Sequence, residues 1–80
     1  MKIPVIKKLV ESYSIDQLVD AENEIIEGNE PSIEVEGSDE GEKLTHVIAA
    51  TWILQEMKVR KIDFKDALRD YTKKVRESIN

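Results

Sequence analysis

The sequence predicts a mainly α fold, a compact four-helix domain. Three observations predict it. Apolar residues recur three and four positions apart through most of the chain. Capping signals stand before three of these stretches, at Ser14 with Gln17, Asp39 with Glu42, and Asp63 with Asp66. The glycines and prolines fall at the edges of the stretches, where they end or start helices. Eighty residues make one domain, because a second core would have too little chain to bury.

The first helix is expected over about residues 4–12, from the set Ile3, Ile6, Leu9, Val10 and Tyr13. Pro4 suits the first turn, where its missing N–H costs nothing. Ile3 and Val5 also alternate, so a strand over Lys2 to Ile6 is the competing reading. The second helix begins at the Ser14–Gln17 box, and Asp16 lies in its first turn, where the helix dipole favours negative charge. Ile15, Leu18, Val19, Ile25 and Ile26 give its apolar side, and Gly28 ends it. So tight a junction predicts a helical hairpin from the first two helices.

Residues 29–42 break the helical pattern. Pro31 disfavours helix in the residue before it, and Ile33, Glu34, Val35 and Glu36 alternate strictly. This acidic link is expected to be extended and able to form one short strand, with Ile33 and Val35 facing the domain. A long central helix follows over about residues 40–60. Its apolar residues, from Leu44 through Met57, cover more than one face, so it is expected to be buried on most sides. The C-terminal helix carries Phe64, Ala67, Leu68, Tyr71, Val75 and Ile79 as one stripe, opposite a charged face.

Charge is arranged in blocks. Residues 1–8 hold three lysines and no acid; residues 9–42 hold twelve acids and no lysine or arginine; residues 43–80 hold nine basic and five acidic residues. The total, +3 − 12 + 4, is −5. So acidic a middle repels phosphate backbones and anionic lipid, which disfavours nucleic acid and membrane as partners. The C-terminal Lys73, Lys74 and Arg76 are the exception. Lys7 and Lys8 interrupt the N-terminal apolar pattern, unlike a secretory signal, and no run reaches the ~20 apolar residues that span a bilayer. With no cysteine, disulfides and thiolate metal sites are excluded, and a cytoplasmic setting is expected.

Few constellations carry chemistry. His46, the single histidine, lies one turn after Glu42 and near Asp39. A carboxylate and an imidazole at that spacing could hold Zn²⁺ or Mn²⁺, so Glu42, His46 and Asp39 are the candidate metal ligands. The plainer reading has His46 packing near the helix start with one hydrogen bond. The acidic link lacks the ligand order of a calcium loop. Gly37 to Gly41 does not have the spacing of a nucleophile elbow, and three scattered glycines make no phosphate cradle. No catalytic residue and no cofactor are assigned, although an enzyme site formed between chains would leave no linear motif. Trp52 is either a core residue or an interface anchor; with Ile53 and Leu54 it forms the candidate interface.

Residues 31–37, followed by Asp39-Glu40-Gly41-Glu42 and by residues 44–50, resemble a small bacterial family of short, cysteine-poor chains. The opening Lys2-Ile3-Pro4-Val5-Ile6-Lys7-Lys8-Leu9 shares the likeness. The resemblance covers nearly the whole chain. It implies no activity and no catalytic residues. The function expected from the sequence is therefore a non-enzymatic interaction domain that self-associates, as a homodimer, since a chain this short covers a wide apolar helix with difficulty. A divalent-metal-binding module using the acidic segment and His46, or a subunit of an enzyme with a site formed between chains, is the alternative, and another protein is the alternative partner.

Overall fold

A computed structural model describes the fold of residues 2–79 and the side chains of residues 2–77. Among the described residues there are four helices and no strand: α1 (Ile3–Ser12), α2 (Ile15–Ile26), α3 (Glu40–Arg60) and α4 (Phe64–Ile79). The strand alternative at the N-terminus is not formed. Pro4 sits in the first turn of α1, and Val5, Ile6, Leu9 and Val10 form its buried side. Ile3, expected on that side, is 51% exposed.

The caps act as expected, with one variation. Ser14 Oγ accepts from the Gln17 N–H at 3.2 Å, and Gln17 Oε1 accepts from the Ser14 N–H at 2.9 Å. At the end of α2 the Gly28 N–H donates to the Ile25 carbonyl, and the Asn29 N–H donates to the Glu24 carbonyl at 2.8 Å. This closure needs a left-handed residue, and Gly28 supplies it at φ 83°. At α3, Asp39 Oδ1 accepts from the Glu42 N–H at 2.8 Å. Glu42 does not return the bond to Asp39; its carboxylate accepts from the N–H of Ser38. Asp63 Oδ1 caps α4 through the Asp66 N–H at 2.9 Å.

α3 is the hub. At 1.5 Å per residue its length matches the 31 Å long dimension of the molecule. α1, α2 and α4 each pack principally on it. Its buried side holds His46, Val47, Ala49, Ala50, Ile53 and Leu54. The expected hairpin of α1 and α2 is therefore replaced by two helices that share α3 as their main neighbour. Tyr13 (ψ 156°) and Ser14 (ψ 166°) are both extended, and two extended residues do not turn the chain back on itself as a hairpin loop does.

The acidic link runs along the core without pairing as a strand. Val35 is buried and Ile33 partly so, while Glu34 and Glu36 face solvent, which is the alternation expected. At Gly37 the link crosses the first turns of α3 so closely that a Cβ would stand 2.9 Å from the Lys43 backbone nitrogen. Only glycine permits that approach.

Candidate functional site

A buried polar site lies where the N-terminus and the link meet the start of α3. His46 is fully buried there. Its Nδ1 is 2.8 Å from the carbonyl oxygen of Glu36, and its Nε2 is 3.0 Å from the main-chain nitrogen of Lys2. A carbonyl only accepts and a main-chain N–H only donates. The partners therefore assign the neutral tautomer with its proton on Nδ1 and its lone pair on Nε2. One ring ties residues 2, 36 and 46 together across 44 positions of sequence.

This geometry leaves little for chemistry. The Nε2 lone pair, which a metal or an acid–base step would need, accepts from Lys2. Asp39 and Glu42 precede His46 by two turns and one turn, but Asp39 accepts from the Glu42 N–H and Glu42 accepts from the Ser38 N–H. Among the described residues no group of three or more His, Asp or Glu side chains is placed to hold a metal ion. No buried side-chain nitrogen or oxygen among them lacks a hydrogen-bond partner.

The candidate interface residues separate. Ile53 is fully buried and Leu54 nearly so; both belong to the chain's own core. Trp52 is half-buried, and its ring meets Tyr71 of α4 at 5.6 Å between centroids, tilted by 50°. Burial pushes the Tyr71 phenol pKa above its ordinary value. The apolar side chains that α3 leaves in water are others: Ile48, 40% exposed, and Val59, 78% exposed. They stand eleven residues apart, about three turns, and so lie on one side of the helix, with Trp52 one turn beyond Ile48. At the far end of α3, Arg60 donates to Asp70 at 2.6 Å and to Glu56 at 3.3 Å. Asp70 first, and Glu56 second, hold its guanidinium pKa above the ordinary value.

A family model described as a family of unknown function (DUF6952) matches residues 1–80. The chain belongs to that family. No curated protein and no solved structure matches it. DUF6952 membership spans the whole chain, in keeping with the near full-length resemblance in the sequence, and assigns no activity. What sequence reasoning missed in this DUF6952 chain is the pair of partners of His46. Both are main-chain groups, and main-chain groups leave no mark on residue type. Ile48 and Val59 were legible in principle: continuing the helical period from Trp52 puts both on its side of α3.

Proposed function

We propose that this chain is a non-enzymatic interaction domain that pairs with a second copy of itself, in the cytoplasm. The observation that supports this reading is the uncovered apolar line on α3. Three helices pack on α3, yet Ile48 and Val59 stay in water beside the half-buried Trp52. Fully burying one such aliphatic side chain contributes about 1.5–3 kcal/mol, so a contact over this line would repay association where a polar face would not. The metal-binding alternative has no comparable support, because the histidine it requires is engaged at both nitrogens.

The test is the solution mass by light scattering over a dilution series. The native chain should reach the mass of two copies at high concentration. Val59→Asp, an exposed position, should raise the dissociation constant by about tenfold or more, since a charge replaces apolar contact. Circular dichroism should show its helices unchanged. A single-copy mass at every concentration would overturn the reading.

A further inference from the structure

α2 and α4 carry complementary surfaces. On α2, Asp16, Asp20 and Glu27 are exposed and Glu24 half-exposed; these four form a row along one side. On α4, Lys65, Arg69, Lys73 and Arg76 are all exposed and form a second row. The two rows have the same spacing, with members at the first position and four, eight and eleven positions beyond it. Eleven residues of helix span about 16 Å, so each row is the length of a small helix–helix contact. Among the described residues no ion pair joins one row to the other, and the one pair made by either is Arg69 with Asp66, at 4.0 Å.

Each row has an apolar strip beside it. On α2 each strip residue stands one position before an acid: Ile15 before Asp16, Val19 before Asp20, Ile26 before Glu27. On α4 Leu68 stands one position before Arg69, and Val75 before Arg76. One residue is about 100° of rotation, so strip and charge lie in the same rotational order on both helices. The pairs Val19–Asp20 and Ile26–Glu27 are seven residues apart, as are Leu68–Arg69 and Val75–Arg76. The strips are open at Ile26, 63% exposed, and Val75, 36% exposed, while Val19, Ile15 and Leu68 keep part of their surface in water, the last two also packing against the chain's own core.

From this arrangement we infer that, in the paired state, α2 of one copy lies antiparallel along α4 of the other, acid row to basic row and apolar strip to apolar strip. The inference rests on the reading that the chain pairs with itself. Antiparallel packing is required because the shared rotational order would set row against strip if the helices ran the same way. It matches Asp16 with Arg76, Asp20 with Lys73, Glu24 with Arg69, and Glu27 with Lys65, to within one residue of register. A two-fold pair makes this contact twice, once through each α2. The rows then determine which surfaces meet, and the strips supply the burial.

The experiment uses two double variants of the full chain. Asp20→Lys with Glu27→Lys leaves α4 basic and sets two lysines of the α2 row against Lys73 and Lys65. Lys65→Glu with Lys73→Glu leaves α2 acidic and sets two glutamates of the α4 row against Glu27 and Asp20. Each alone should remain a single copy at concentrations where the native chain pairs. An equimolar mixture should recover the two-copy mass, since each variant then offers what the other lacks, and recovery also shows that both are folded. Native pairing should weaken by about tenfold or more between about 0.1 M and 1 M sodium chloride, as the screening length falls from about 10 Å to about 3 Å. If both variants pair as the native chain does, the contact lies elsewhere; the inference fails and the second-copy reading stands. If both lose pairing and the mixture does not recover it, the α2–α4 match is likewise overturned. If the native chain never pairs, the reading fails first.

Discussion

The two ends of α3 are held in opposite ways. At its start a fully buried imidazole joins two main-chain groups from distant parts of the chain. At its finish Arg60 joins Asp70 and Glu56 through side chains that keep 27–49% of their surface in water. The bonds look alike by length, but their energetic weights differ. A buried polar group that loses its partner costs about 1–3 kcal/mol, whereas an exposed ion pair contributes about 0–1 kcal/mol. Stability is therefore concentrated at the end where the chain's first residues are tied down, and the α4 end is left free to present its charge.

Replacing His46 breaks this contrast most strongly. His46→Ala leaves the Lys2 N–H and the Glu36 carbonyl without their imidazole partner and opens a void beside Val5. The expected loss is about 3 kcal/mol, or a fall of more than about 10 °C in Tm. His46→Phe separates the two causes. It keeps the bulk of a ring and still leaves both main-chain groups unpaired, so it should lose about 2 kcal/mol. Native stability in His46→Phe, measured by urea unfolding, would show that the ring only fills space.

The middle of α3 sharpens the comparison through pH. Trp52 and Tyr71 join α3 to α4 by ring contact, and burial raises the Tyr71 pKa above 10.0. The folded chain thus holds this proton more tightly than the unfolded chain does. Its contribution is fully present below pH 10 and is lost as pH rises through the higher folded value. Tyr71→Phe should remove that part of the alkaline decline while leaving stability near pH 7 almost unchanged. Melting curves from pH 8 upward measure both. An equal alkaline decline in the variant would assign the effect to other groups.

Most of the fold was legible because caps and periodicity are local. Ser14, Asp39 and Asp63 each cap the helix that follows, and Gly28 closes the one before it. Non-local features were not legible. Periodicity reports which side of a helix is buried but not the angle at which the chain leaves it, so the hairpin was expected where α1 and α2 share α3 instead. The run Trp52, Ile53, Leu54 was a poor interface candidate for a related reason. Three consecutive helical residues spread over about 200°, so they cannot all face one partner while two of them face the core. His46 was visible as a residue, but its role depends on main-chain atoms that only the fold brings to it.

The smallest effect belongs to the exposed end. Arg60→Ala removes both ion pairs of the α3 terminus, yet all three side chains are partly solvated and the lost Coulomb energy is screened. Neither Asp70 nor Glu56 is left buried with an unpaired charge, so the desolvation term that makes His46→Ala costly has no counterpart here. The expected loss is below about 1 kcal/mol, and it should shrink further in about 1 M salt, where the screening length approaches the length of the pair itself. Urea unfolding at low and high salt measures this difference. A salt-independent loss comparable to that of His46→Ala would mean that Arg60 orders the turn into α4 through packing of its aliphatic stem, and the two ends of α3 would then be held by equal means.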